Sequence, residues 1–304
     1  MSKSINGLLI FISLQIFIEK DNDMTSCIFT VIKNEHQYLD EWIKYHLDLG
    51  VNHIFIFEDI DSKTHKEITD KYDDKVSLNN VLTVFDSDER KQEIIELKKN
   101  RKYVQCKYIL NGLLYIQKTY PSQYDWCFVI DNDEFITLEK EGDNLKDIIS
   151  LYKDYDAFML QWKCYGSNGL VHKPNYDGKG LIGTYTELAK GEIKHEGIWL
   201  TKTCYNLNTF KKEHYWHLHQ PSNECKWCKS DFRKYRLRPI YKNIYIRHYI
   251  TKSWEEYIWK LFVRGFLGIG TRYIDFFFEL NPDMLDKKEE LLQIADEIIN
   301  KNKR

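Results

Sequence analysis

Three short apolar runs, each closed by acidic or amide side chains, restrict this chain to few architectures. They are Cys27–Ile32 (CIFTVI), His53–Phe57 (HIFIF) and Trp126–Ile130 (WCFVI). Runs of this length without polar alternation read as strands buried on both faces. Val81–Phe85 reads as a further strand. Between them, Tyr38–Leu49 places Leu39, Trp42, Ile43, His46 and Leu47 at helical spacing and stops at Gly50, and Arg101–Lys118 is a long helix. Strands alternating with helices predict an α/β fold with a mainly parallel central sheet flanked by helices. Such sheets bind ligands outside the carboxyl ends of their strands. Those ends carry Asn34-Glu35, Glu58-Asp59 and Asp131-Asn132-Asp133-Glu134. Independent strand ends therefore aim charge at one edge.

The second half has shorter elements. Ala157–Trp162, Ile198–Thr203, Phe210–Tyr215 and Ile244–Ile250 read as strands, and Gly166–Gly183 as mostly loop. Ser253, with Glu256 three residues on, has the pattern of a capping box for a helix to about Phe266. Pro282 opens a last charged helix with Leu285, Leu291, Leu292, Ala295, Ile298 and Ile299 on its apolar face. No boundary interrupts residues 24–280, so one domain is expected there, followed by a C-terminal helix over 281–304. Gly7–Ile18 is apolar but shorter than the roughly 20 residues a membrane-spanning helix needs. Residues 1–23 read either as a short leader giving peripheral membrane association or as an upstream extension of the domain. The 44 basic and 46 acidic residues leave a net charge of −2, which speaks against a nucleic-acid partner. Seven cysteines without regular spacing read as reduced thiols in a cytoplasmic protein.

The Asp131-Asn132-Asp133 turn carries the clearest chemistry. Two carboxylates two residues apart after a strand can face one ligand, and hard divalent cations such as Mn²⁺ or Mg²⁺ take oxygen ligands while keeping positions open for phosphate. A departing diphosphate needs such charge compensation. By itself the pattern also describes an acidic surface turn.

Longer stretches agree with the chemical reading. Val31–Asp59 (VIKNEHQYLDEWIKYHLDLGVNHIFIFED) resembles the opening of glycosyltransferase family 92 and its family-2-like relatives. Asp125–Ile136 (DWCFVIDNDEFI) resembles that family's Asp-x-Asp-Glu-Phe segment, and Gln105 lies where the family has a helix glutamine. Trp162, Gly166 and Ser167 resemble its Trp-x-x-Phe-Gly-Ser loop, with Tyr165 for the phenylalanine. Ile246–Gly265 (IRHYITKSWEEYIWKLFVRG) resembles its closing His-Tyr-x-x-Lys-Ser-x-Glu-Glu segment.

The resemblance implies a GT-A fold and inverting sugar transfer from a nucleotide-diphosphate donor to a glycan or glycolipid acceptor. It further implies that Asn34, Glu35, Asp59, Gln105 and Asp131 line the nucleotide pocket. Asp131, Asp133 and His248 would ligate Mn²⁺ or Mg²⁺, and Trp162 and Ser167 would shape the acceptor side. Among carboxylates able to take the acceptor's proton, Glu187 and Glu196 are the candidates. The alternatives are a metal-dependent phosphohydrolase and a non-catalytic carbohydrate-binding protein. Phe135, two residues beyond the second aspartate, departs from the Thr or Val usual in phosphatases built on the same pattern. Trp42, Tyr45 and His46 read as helix packing, and Lys252 and Arg264 as solvated basic groups. His217, His219, Cys225 and Cys228 are close enough in sequence for a zinc site or a reduced thiol pair. An exposed acidic cluster would lose little stability on Asp133→Asn.

Overall fold

The computed structural model describes residues 24–100, 104–176, 178–191, 201–217, 220–231, 241–263 and 274–302. β1 (Ser26–Ile32), α1 (His36–Asp48), β2 (His53–Glu58), a helical turn α2 (Lys66–Thr69) and β3 (Val76–Asn80) open the chain. α3 (Asp88–Lys99), α4 (Gln105–Thr119), β4 (Trp126–Val129), β5 (Glu134–Leu138) and α5 (Leu145–Ser150) follow. β6 (Ala157–Cys164), the short α6 (Gly180–Thr184), β7 (Thr201–Asn206), β8 (Tyr215–His217), β9 (Gln220–Pro221), β10 (Trp227–Lys229) and β11 (Ile244–His248) come next. α7 (Trp254–Ile258), α8 (Ile274–Leu280) and α9 (Lys288–Asn302) close the described part.

The main sheet runs β3-β2-β1-β4-β7-β6-β11-β5, with β10 paired to β6. Its first four strands are parallel. β7 runs antiparallel between β4 and β6, and β5 antiparallel to β11. The sheet is therefore mixed, where strand–helix alternation predicted a mainly parallel one. The return strands belong to the second half, whose shorter runs carry no such rhythm.

Alternate side chains feed two cores, as the pleat requires. Ile28, Ile32, Ile54 and Ile56 face one side, with Trp42 of α1, Trp254 of α7, Phe277 of α8 and Leu291 of α9. Cys27, Phe29, Phe55 and Phe57 face the other, with Ile94 of α3 and Leu113 of α4. Trp254 Nε1 donates to the Leu291 carbonyl at 2.7 Å, so the C-terminal helix is pinned to the first core.

Three expectations need correction. The third strand is Val76–Asn80, and Val81–Val84 forms a 3₁₀ turn whose Val81 and Val84 are still buried. Phe210–Tyr215 is not a strand: Lys212–His214 is a 3₁₀ turn leading into β8. Cys225 and Cys228 do not form one ligand pair, because they join the cores on opposite faces of the sheet.

Candidate active site

The acidic motif lies where β4 ends. After Ile130 the chain turns back within four residues: the Glu134 N–H donates to the Asp131 carbonyl at 3.1 Å, and the Asp131 N–H to Glu134 Oε2 at 3.0 Å. β5 then begins at Glu134, directly behind the motif. Helix α1 fixes this turn from the core side. Trp42 Nε1 donates to the Glu134 carbonyl at 2.7 Å and the Tyr45 hydroxyl to the Ile136 carbonyl at 2.8 Å. The Ile136 N–H donates to His46 Nε2 at 3.2 Å, while His46 Nδ1 meets the Trp42 carbonyl at 2.8 Å. The Trp-Ile-x-Tyr-His segment thus packs, as expected, and also holds the strand that carries the motif.

The sheet brings the C-terminal half to the same place. His248 lies opposite Glu134 across the β11–β5 pair, and the Tyr249 N–H continues the ladder to the Asp133 carbonyl at 3.0 Å. His248 Nε2 comes within 3.6 Å of Asp133 Oδ1, and its Nδ1 within 3.6 Å of Glu134 Oε1. Trp162, only 7% exposed, sets its ring against that of His248 at 4.3 Å.

Three lysines complete the cluster, Lys202 and Lys252 buried and Lys260 partly buried. Lys202 reaches Asp131 Oδ2 at 2.8 Å and Glu134 Oε2 at 3.5 Å. Lys252 and Lys260 both meet Asp133 Oδ2, at 3.0 and 2.6 Å. Lys252 holds a left-handed backbone conformation (φ 56°), which non-glycine residues seldom adopt without a local cause. Lys260 stands on a single π-helical turn, Trp259–Val263, a distortion frequent at functional sites. Burial works against the Asp133 charge, but Lys252, Lys260 and His248 hold its carboxyl well below the usual range. Burial likewise opposes the Asp131 charge, and Lys202 more than offsets it. Glu134 has the opposite balance. Burial, reinforced by Asp131 and Asp133, pushes it up to about 8 despite Lys202.

Lys252 is therefore a buried partner of the motif and not a solvated group, while Arg264 lies outside the described residues. Lys202 and Lys260 were not anticipated. The available signal for Lys202 was a lysine inside a strand-like run (TKTCYN), and it is 2% exposed.

Other candidates sit around this edge. Asn34, with φ 54°, joins the loops after β1 and β2: its N–H donates to Ser62 Oγ at 3.1 Å and its Oδ1 accepts from the Lys63 N–H at 2.8 Å. Glu35 is buried, accepts from the Tyr38 hydroxyl, and donates its N–H to His65 Nε2 at 3.0 Å. Asp59 is 1% exposed, paired with Lys98 of α3 and 3.2 Å from the Tyr108 hydroxyl. Gln105 opens α4. Ser167 is buried and shapes its own turn, its N–H donating to Asn281 Oδ1 at 2.6 Å and its Oγ accepting from the Gly169 N–H. Glu187 is exposed on a segment bridged to Tyr165, next to the end of β6, while Glu196 lies outside the described residues. A cleft of about 730 Å³ opens beside Asn34, between Gln37, Lys173, Trp259 and Lys301.

A strand-end acid pair thus stands against three lysines on a mixed α/β sheet. The sequence profile of glycosyltransferase family 92 matches residues 22–302, and the chain belongs to that family of glycosyltransferases. A glycosyltransferase family 92 protein of Ricinus communis is 25% identical over 283 residues, covering 88% of this chain and 42% of its own length. A second match of the same description is 24% identical over 248 residues, covering 76% and 39%. The chain thus spans less than half the length of these curated relatives. The crystal structure of HddC from Yersinia pseudotuberculosis aligns with a TM-score of 0.36 at 13% identity, over 68% of this chain and 89% of that one, a likeness too slight to carry an argument.

Proposed function

We propose that this chain moves a sugar from a nucleotide-diphosphate donor to a hydroxyl acceptor on a GT-A type scaffold. The observation that carries the reading is the placement of Asp131 and Asp133 at the carboxyl end of β4, under Lys202, Lys252 and Lys260. Two carboxylates and one imidazole are donor types that a hard divalent cation takes, and a buried Glu134 Oε1 without a hydrogen-bond partner lies beside them, which supports the reading. Asp131, Asp133 and His248 would hold Mn²⁺ or Mg²⁺, which when bound offsets diphosphate charge.

The protein's own groups account for the remaining steps. Three ammonium groups stand against the two aspartates, so the edge attracts a diphosphate by local charge although the whole chain is nearly neutral. In the transfer, the bond from the anomeric carbon to the diphosphate oxygen breaks as the acceptor oxygen bonds that carbon from the opposite face. The diphosphate leaves with the electron pair. The acceptor's proton passes to a carboxylate, for which Glu187 is the candidate within the described residues. Asn34, Glu35, Asp59 and Gln105 would shape the nucleotide side. Asn34, Glu35 and Asp59 are held by neighbouring groups, Ser62 and Lys63, Tyr38 and His65, and Lys98 and Tyr108, which makes them mainly positioning groups. Trp162 acts through His248, and Ser167 through its turn.

Incubation with a panel of nucleotide sugars, simple glycan acceptors and Mn²⁺ tests the reading. Release of nucleoside diphosphate together with a lengthened glycan is expected for one donor. Release of inorganic phosphate instead would establish the phosphohydrolase alternative. Sugar binding without any turnover would establish the non-catalytic one.

A further inference from the structure

We propose that Asp156, His214 and Cys225 form a structural zinc site at the end of the sheet remote from the acidic motif. Among the described residues these three form a group whose ligand atoms all lie within 4.8 Å of one another. The edge of β6 separates the two sites. β11, bearing His248, pairs with its carboxyl end at Trp162–Cys164. β10, just after Cys225, pairs with its amino end at Ala157–Met159. At about 3.3 Å per residue the two ends of this strand stand roughly 20 Å apart.

Each donor is held by its backbone before any ion arrives. Asp156 exchanges two hydrogen bonds with Lys226, its N–H donating to the Lys226 carbonyl at 2.8 Å and its Oδ2 accepting from the Lys226 N–H at 2.8 Å. Its own carbonyl accepts from the Asn206 N–H at 2.8 Å. His214 ends the 3₁₀ turn, and its carbonyl accepts from the Ser222 N–H at 2.8 Å. The Cys225 N–H returns to the Ser222 carbonyl at 3.3 Å. His214 is 7% exposed, and its Nδ1 is a buried nitrogen with no hydrogen-bond partner, a costly state for a polar atom that a ligand would relieve.

The chemistry selects the ion. A thiolate, an imidazole and a carboxylate suit zinc, which takes S, N and O ligands tetrahedrally, whereas Mg²⁺ and Ca²⁺ prefer oxygen alone. As the metal–sulfur bond forms, the Cys225 thiol gives its proton to solvent. Cys225 is 2% exposed, so it is placed to hold an ion and not to meet a substrate. The site would staple three segments: the start of β6, the turn before β8 and the loop before β10. The small β8–β9 pair lies between the last two. Asp156, His214 and Cys225 would fill three of zinc's four positions and water the fourth; Cys228 takes no part, and His219 lies outside the described residues.

Cobalt(II) is the probe. Full-length protein freed of metal by a chelator should gain a thiolate-to-cobalt charge-transfer band that saturates at one ion per chain. Zinc should erase the band and raise the melting temperature. Cys225→Ser should abolish the band, and His214→Ala should weaken cobalt binding by at least tenfold. Asp133→Asn should keep the band, since the acidic motif has no thiol. A folded wild type without the band, a band that survives Cys225→Ser, or unchanged cobalt affinity in His214→Ala would each overturn the assignment. None of these outcomes bears on sugar transfer.

Discussion

Asp133 gathers three cationic or ionisable partners. Its carboxylate is 4% exposed and faces Lys252, Lys260 and His248. The sequence pictured an exposed acidic turn that would tolerate charge loss, and the burial reverses that expectation. Asp133→Asn would leave the buried Lys252 and the partly buried Lys260 short of their counter-charge, a loss on the order of 3–5 kcal/mol for a broken buried pair. Thermal melting should therefore show a clear drop in Tm, along with loss of transfer. An unchanged Tm would mean that the cluster is looser than the ion pairs indicate. Lys252→Met keeps Lys260 and His248 on Asp133 but removes one cation from the phosphate edge. Transfer should fall roughly 100–1000-fold, the scale seen when a preorganised charge-stabilising donor is lost. Kinetics with an active donor would check this, and wild-type turnover would remove Lys252 from the reaction.

At the scale of elements, α1 and β5 act as a unit. His46 is fully buried, and burial holds its imidazole down to about 3 even though the Trp42 carbonyl favours the charged form. Its Nε2 accepts from Ile136, so protonation would set two N–H groups against each other. The folded state thus stays neutral at this site while the unfolded chain takes up a proton below about pH 6.5. Stability contributed by keeping His46 neutral is intact above that value and declines as pH falls toward about 3. In urea titrations the wild-type midpoint should drop more steeply between about pH 7 and about pH 5 than that of His46→Gln, which has no such group to titrate. Parallel curves would show that His46 does not couple α1 to β5 in this way. Contact between α4 and β1 is equally tight: a Cβ on Gly112 would lie 2.1 Å from the Phe29 ring. Gly112→Ala should cost about 1–3 kcal/mol through overpacking, despite alanine's better helix propensity. Chemical denaturation would measure it, and a neutral substitution would show that Phe29 has room to move.

Across the whole molecule, legibility follows burial. β1, β2 and β4 were readable because burial on both faces leaves continuous apolar runs. β3 was missed because its middle residues are only partly buried, while the more apolar Val81–Phe85 next to it drew the assignment. α3 left little signal, since Ile94 is its one buried residue. The motif was readable because its polar atoms break an apolar run, and family resemblance added His248. Lys202 and Lys260 reach the site through sheet pairing and a π-helical turn, neither of which has a local sequence signature. The same limit applies to Asp156, His214 and Cys225, which only the fold assembles.

The edge at Asp131 and Asp133 should receive a nucleoside diphosphate together with a divalent cation. Titration calorimetry of UDP, GDP and ADP into the full chain, with Mn²⁺ and then with a chelator in its place, tests it most directly. One diphosphate should bind at least tenfold more tightly with Mn²⁺, and Asp131→Asn should remove that gain. Equal affinity in both conditions, or a gain that survives Asp131→Asn, would show that the diphosphate and cation bind elsewhere or not together.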